Sequence, residues 1–145
     1  MSDLYGHDVF EWSQQQAALL RRHAAGEKLN ERPDWTNIVE EIESVGRSEV
    51  RAIESWLFQA FVHDLKAQGW PLSRDEPHRR AEARGFRAQA RRNYRPSTRH
   101  QIDIPSLYRD ALLAIPDKLD GQPSLPLSAI CPATLEALLA EEASR

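Results

Sequence analysis

The sequence contains few of the residues and motifs that mark well-defined functional classes. Its 145 residues include one cysteine, Cys131, and three lysines. A single cysteine forms no internal disulfide and supplies no thiolate cage for a metal ion. A Gly-rich phosphate loop and a Gly-x-Ser-x-Gly nucleophile elbow are both missing, which disfavours nucleotide-binding proteins and serine hydrolases. We therefore expect no cofactor.

Long apolar runs are also missing. No stretch approaches the roughly 20 consecutive apolar residues of a membrane span. The first residues include Asp3, Asp8 and Glu11, and lack the basic start and apolar run of a signal peptide. Hydrophobic residues make up 41% and charged residues 28%, which is ordinary for a globular domain. These features predict a cytoplasmic protein without a membrane partner.

Helical spacing recurs along the chain, whereas strand alternation is nowhere sustained. A long helix is predicted after Asp34, which suits its N-cap, and Gly46 either bends or breaks this helix. One apolar side of the helix is formed by Ile38, Ile42, Val45, Ile53, Trp56 and Ala60. The segment from Trp56 to Leu65 is apolar on nearly all sides, so we expect it to be the buried central helix.

Other predicted helices are bounded by residues that favour helix ends. Gly26 ends the first helix in the left-handed conformation. Ser73 and Glu76 have the spacing of a capping box at the start of the third helix, and Pro132 starts the last one. We therefore predict an all-α fold: a single domain over residues 1–145, folded as a bundle of about five helices.

An acidic cluster is the first candidate for chemistry. Glu40 and Glu43 are neighbours on the predicted helix, and Arg47 continues the same row. Paired carboxylates suit a hard cation such as magnesium, which helical nucleotide pyrophosphatases hold in this way. Ser44 stands where a third carboxylate would be needed, and alternating charges neutralise one another. Two interpretations stay open: a metal-assisted hydrolase and an exposed ion-pair face.

His63 is the second candidate. Gln59, His63 and Lys66 lie on one side of the otherwise apolar central helix. A buried histidine beside a carboxylate ligates metal or acts as a base. The alternative interpretation is that these three residues form the solvent side of the helix.

A row of arginines on the third predicted helix is the third candidate. Residues 74–99 contain nine arginines and three acidic residues, a net charge of +6, whereas the rest of the chain carries −9. Arg80, Arg84, Arg87 and Arg91 form this row, and guanidinium groups bind phosphates well. The overall charge of −3 is unlike that of a dedicated nucleic-acid binder. Docking onto acidic helices, in this chain or a partner, is therefore favoured over nucleic acid.

Several motifs together resemble a known family. They are Asp34-Trp35-x-Asn37, Glu40-Glu41-Ile42-Glu43-Ser44-Val45-Gly46-Arg47-Ser48-Glu49, His63-x-Leu65-Lys66 and Cys131-Pro132-x-Thr134-Leu135-Glu136. They resemble the bacterial domain-of-unknown-function family twenty-nine over nearly the whole chain. The resemblance implies an all-helical bundle of cyanobacteria and proteobacteria, and brings no activity, cofactor or catalytic residue. Asp64 and Ala67 stand where the family usually has Leu and Trp.

The charge polarity and the missing catalytic motifs favour a non-enzymatic interaction or regulatory module. We expect its partner to be another bacterial protein that contacts the arginine row, and self-association stays open. The alternatives are a metal-assisted hydrolase that uses Glu40, Glu43 and His63, and a weak nucleic-acid binder that uses the arginine row.

Overall fold

The computed structural model describes residues 3–141, which are mainly helical. The helices are α1 (Leu4–His7), α2 (Val9–Ala24), α3 (Trp35–Gly69), α4 (Glu76–Asn93), a 3₁₀ helix (Pro96–Gln101), α5 (Ile104–Ala114) and α6 (Leu135–Leu139). Two short strands, β1 (Lys118–Leu119) and β2 (Gln122–Pro123), pair antiparallel. The all-α prediction is confirmed, and the described residues add this one short hairpin. None of the helices in residues 3–141 combines the length and apolar composition that crossing a bilayer requires.

The described residues fall into two compact units, divided between Arg47 and Ser48. Residues 35–47 of α3 belong to the first unit, and residues 48–69 belong to the second. The single domain over residues 1–145 stays a prediction.

The first unit consists of α1, α2 and the first part of α3. The Asp8 carboxylate caps α2 by accepting a hydrogen bond from the Glu11 backbone N–H at 2.9 Å. Gly26 follows the end of α2 with a φ of 83°, which confirms the predicted left-handed helix end. Trp12 and Leu19 of α2 and Ile38 of α3 are buried.

Helix α3 continues through Gly46, so the helix does not break there. Ile42 and Val45, which were predicted on one apolar side of the helix with Ile38, are exposed, whereas Ile38 is buried. The three residues are spaced four and three apart and therefore lie on the same side of α3. That side is covered at Ile38 and open to solvent at Ile42 and Val45.

The second unit contains the main core. Ile53, Leu57 and Leu65 of α3 are almost fully buried, and they pack with residues of α4, α5 and α6. Phe61 meets Tyr108 of α5 edge to face, with ring centroids 5.4 Å apart. The segment from Trp56 to Leu65 is therefore the buried central helix, as predicted.

Two helix starts differ from the prediction. Helix α4 begins at Glu76, and the Ser73 hydroxyl accepts a hydrogen bond from the Asp75 N–H, so a capping box does not form. Helix α6 begins at Leu135 instead of Pro132, because the Thr134 hydroxyl caps it by accepting from the Ala137 N–H at 3.2 Å. In both places several nearby residues suit a cap, and tertiary packing selects one of them.

The β1–β2 hairpin closes over the end of α3. Asp120 and Gly121 form its turn with φ angles of 51° and 77°, which two-residue hairpin loops commonly require. The Trp70 indole N–H donates to the Gln122 carbonyl at 2.8 Å, and the Leu125 N–H donates to the Gly69 carbonyl at 2.8 Å. We call these two hydrogen bonds the clasp.

Candidate functional site

An apolar surface lies on the first part of α3. Its members are Trp35, Val39, Ile42 and Val45, which are 45%, 51%, 68% and 65% exposed. We call them the apolar row. Their spacing of four, three and three residues keeps them on one side of the helix. Gly46 adjoins the row, and a Cβ built there would meet no atom of the described residues within 4 Å. The surface is therefore open at the Gly46 end of the row, whereas the Trp35 ring at the other end meets His23 edge to face at 6.1 Å.

Charged residues border the apolar row along one edge. Arg47 Nη2 lies 2.6 Å from Glu40 Oε1, and its Nη1 lies 3.8 Å from Glu43 Oε2. All three side chains are about half exposed, so each pair contributes at most about 1 kcal/mol. The predicted acidic cluster is thus shared by one guanidinium. In the described part of the chain, no three His, Cys, Asp or Glu residues are grouped to hold a metal ion.

The motif residues at the start of α3 form a structural network. The Asp34 carboxylate accepts hydrogen bonds from the Asn37 side-chain amide at 2.8 Å and from the Trp12 indole N–H at 3.0 Å. These two bonds lower the pKa of Asp34 from its ordinary value. The Asp34 backbone N–H donates to the Gln16 side chain at 2.7 Å. Sequence analysis identified Asp34 as a cap, but missed that it also ties α3 to α2.

A second contact joins α1 to the same flank of α3. The Tyr5 hydroxyl donates to Glu41 Oε1 at 2.7 Å, and this hydrogen bond raises the pKa of Tyr5. The Tyr5 ring meets Trp12 edge to face at 4.9 Å. Glu41 therefore faces α1, and this flank of α3 is a structural contact within the first unit.

His63 lies in the second unit and packs against α4. Its ring stacks on Phe86 with centroids 5.3 Å apart, and its Nε2 lies 3.9 Å from Glu82 Oε2. His78 Nε2 lies 3.3 Å from the other Glu82 oxygen. Burial lowers the pKa of His63, and the charge of Glu82 partly opposes this effect. The interpretation of His63 as part of a solvent side is therefore wrong.

Two further observations describe the surroundings of His63. Its Nδ1 is buried and has no hydrogen-bond partner in the described residues. Trp56 stacks on the same Phe86 ring at 5.8 Å, beside a surface groove lined by Ala81 and Gly85. The lowered pKa is compatible with a neutral histidine that accepts a proton, and Glu82 is the carboxylate beside it. Glu40 and Glu43 belong to the first unit, where both pair with Arg47.

Members of the arginine row make contacts within the chain. Arg80 pairs with Glu76 of the same helix, and Arg87 Nη1 lies 2.5 Å from Asp64 Oδ2 of α3. Arg91 Nη1 donates to the Ala140 carbonyl at 3.1 Å. Arg84, Arg87 and Arg91 line a surface cleft together with Ala140 and Glu141. This arrangement combines intramolecular contacts with an arginine-lined cleft, as expected for residues that attract acidic groups.

Comparison with known proteins places these features in a family. The model of the family described as domain of unknown function DUF29 matches residues 4–143. The crystal structure of an α-helical protein of unknown function from Rhodospirillum rubrum is similar, with a TM-score of 0.66 and 28% sequence identity. That similarity covers 98% of this chain and 92% of the other. No curated protein matches the sequence. Because the family model covers nearly all of the sequence, the chain belongs to the family of domains of unknown function DUF29.

Proposed function

We propose that this protein is a non-enzymatic interaction module that packs the apolar row of α3 against another polypeptide. The observation that supports this proposal is the exposure of four large apolar side chains on one side of a helix, from 45% to 68%. Scattered apolar residues are normal on protein surfaces, whereas a contiguous patch marks an interaction site.

The spacing and energetics of the row suit a helix-mediated contact. Anchors that recur every three or four residues are typical of helices that bind in a groove or against a second helix. Complete burial of a valine or isoleucine side chain is worth roughly 1.5–3 kcal/mol. The exposed part of the row therefore leaves several kcal/mol available to a partner, which exceeds the weak attraction of its charged border.

The arginine-lined cleft is the second candidate surface, for an acidic segment of a partner. The support is that Arg91 already binds a backbone carbonyl there and that Glu141 lines the same cleft. We propose the bacterial cytoplasm as the setting for both surfaces. The metal-assisted hydrolase and the nucleic-acid binder stay as alternative predictions.

Affinity capture from a host lysate tests the proposal. The tagged protein is compared with Ile42→Asp, which places a charge in the apolar row, and with Leu113→Asp as a matched control. Leu113 is 85% exposed on α5, so it has the same chemistry outside the row. We expect a stoichiometric protein, identified by mass spectrometry, that is captured by the wild type and the control and lost with Ile42→Asp.

Two results would contradict the proposal. Equal capture by the wild type and Ile42→Asp would remove the apolar row as the binding surface. Loss of all captured protein after nuclease treatment would favour the nucleic-acid alternative, and binding to nucleic acid should then weaken steeply with salt.

A further inference from the structure

We infer that the polypeptide that covers the apolar row is a second copy of this chain, with its α3 antiparallel to the first. This inference rests on the proposed function and names its partner. The order of charges along the border of the row and the position of Gly46 support it.

The order of charges along α3 suits an antiparallel copy. Glu40 and Glu43 come first, and Arg47 follows one turn after Glu43 on the same edge of the row. A two-fold axis perpendicular to α3 places the charged borders of both copies on the same side of the contact. The two helices then run in opposite directions. Arg47 of each copy then lies opposite Glu43 of the other. A parallel two-fold would place the two borders on opposite sides, where they would not meet.

The same axis places Ile42 of each copy against Gly46 of the other. The Ile42–Gly46 pair is centred on residue 44 and the Glu43–Arg47 pair on residue 45. The two centres differ by about 1.5 Å along the helix, a shift that side chains can bridge with the axis between residues 44 and 45. No atom of the described residues lies within 4 Å of a Cβ built at Gly46, so the helices can approach closely at this point. Ile42 is the most exposed member of the row at 68%, and it fills the space that the missing side chain leaves.

Pairing between copies requires little rearrangement of the border. Arg47 is half exposed while it contacts Glu40 and Glu43 of its own chain, and such solvated pairs are weak. Its guanidinium has five donors, so it can bind a carboxylate of a second copy and keep one of its own. The pairing thereby joins apolar burial at the centre with opposite charges at the edge.

The first test is the molar mass in solution, measured by light scattering over a concentration series. We expect the wild type to be a dimer whose fraction rises with concentration. Ile42→Asp should weaken the dimer roughly 30-fold or more, as expected for a central contact. Gly46→Gln should also weaken it, although glutamine favours a helix more than glycine does. Leu113→Asp should leave the dimer unchanged, and circular dichroism verifies that each variant is folded.

The second test uses charge reversal in two separate chains. Glu43→Arg gives one chain positive charges at both residues 43 and 47, and Arg47→Glu gives another chain negative charges at both of these residues. Each variant alone should dimerise less than the wild type because like charges meet across the axis. Mixed together, they should form a heterodimer in preference to either homodimer, as measured by native mass spectrometry. The Glu43–Arg47 pair within a chain is broken in both variants, so only contact between copies explains such a preference.

The outcomes separate this inference from the proposed function. A wild type that is monomeric throughout, or a mixture without heterodimer preference, overturns the antiparallel pairing. If Ile42→Asp still loses a captured protein in that case, the proposed function stands with a different partner. If Ile42→Asp changes neither the molar mass nor the capture, both proposals fail.

Discussion

Asp34 is the residue on which the start of α3 depends. Its carboxylate serves as the helix cap and as the acceptor for the Trp12 indole, while its backbone N–H bonds to Gln16. One side chain therefore joins the local capping of α3 to the packing of α2. The Asp34-Trp35-x-Asn37 motif has a structural explanation, since Asn37 donates to Asp34 through both its backbone and its side chain.

Asp34→Ala should lower the free energy of unfolding, because a helix cap is lost and a partly buried indole N–H loses its acceptor. Asp34→Asn keeps one oxygen at the capping position, and its loss should be about half as large. Urea denaturation of the wild type and both variants measures the difference. Equal losses of stability in the two variants would show that the negative charge of Asp34, instead of the position of its hydrogen-bond acceptors, stabilises the protein.

His63 makes stability depend on pH in a defined direction. Burial lowers the pKa of His63 in the folded state. At a pH between this lowered pKa and the ordinary pKa of histidine, His63 is protonated in the unfolded chain but neutral in the folded chain. Stability is therefore highest above the ordinary histidine value of about 6.5 and falls as the pH drops towards the folded pKa. Glu54, whose pKa is raised by burial, acts in the opposite direction at lower pH.

We expect His63→Gln to reduce this dependence. The melting temperature of the wild type should fall more than that of His63→Gln when the pH is lowered from about 7.5 to about 5.5. Because Glu54 is present in both proteins, the difference between the two profiles isolates His63. Parallel profiles would mean that His63 titrates alike in the folded and unfolded chain.

At the scale of elements, the contact between α3 and α4 is defined by pairs of unlike residues. Asp64 of α3 contacts Arg87 of α4. One residue earlier on each helix, His63 of α3 stacks on Phe86 of α4. The side chains of Asp64 and Arg87 are only 24% and 17% exposed. Asp64 is thus matched by an arginine on the facing helix.

A double-mutant cycle measures this pair. Asp64→Leu and Arg87→Leu should each destabilise the protein by about 1–3 kcal/mol, since each leaves a partly buried charge without this partner. The double variant should lose less than the sum, with a coupling energy on the order of 1 kcal/mol. Strict additivity would show that the two charges contribute independently, through their other contacts.

The elements also show what could be predicted from sequence. Helical spacing and local caps placed the central helix, the cap at Asp34 and the helix end at Gly26, because these depend on neighbouring residues. Periodicity identified the apolar side of α3, but it does not tell whether another element covers that side, so the exposure of Ile42 and Val45 was not predicted. The Trp12–Asp34 and Asp64–Arg87 contacts join residues far apart in sequence, and no local pattern encodes them.

The candidate surfaces were predicted to different degrees. The arginine row and the Glu40–Glu43 cluster were visible as residues at helical spacing. Their partners were not, because an arginine that faces Asp64 and one that faces a cleft look alike in sequence. Gly46 was expected to bend or break the helix, because glycine disfavours helices. In the structure the helix continues through Gly46, which leaves an open position beside the apolar row.

At the scale of the whole molecule, the clasp is the longest-range hydrogen-bonded connection at the end of α3. Trp70 is buried and bonds to Gln122, while Gly69 accepts from the Leu125 N–H. The clasp holds the segment between α5 and α6 against the end of α3. It joins a helix end, whose carbonyls otherwise need capping, to a hairpin whose own two-residue strands are too short to be stable alone.

Leu125→Pro should destabilise the protein by about 1–3 kcal/mol, because proline has no N–H and the Gly69 carbonyl loses its donor. Leu125→Ala keeps the N–H and removes a side chain that is about half exposed, so its cost should be smaller. Thermal unfolding followed by Trp fluorescence compares the three proteins. Equal destabilisation by proline and alanine would show that side-chain packing, instead of the clasp, holds the hairpin.

The clasp also has a consequence for the order of folding. Helices α3 and α4 are joined by a short turn, so their contact closes quickly, whereas Trp70 and Gln122 are 52 residues apart. Loop-closure entropy makes such a distant contact slower to form and favours its formation on a scaffold that already exists. The hairpin should therefore join last during folding and detach first under stress. Hydrogen exchange at the Leu125 amide would then be faster than exchange in the middle of α3, and the hairpin would be the first site that a protease could reach.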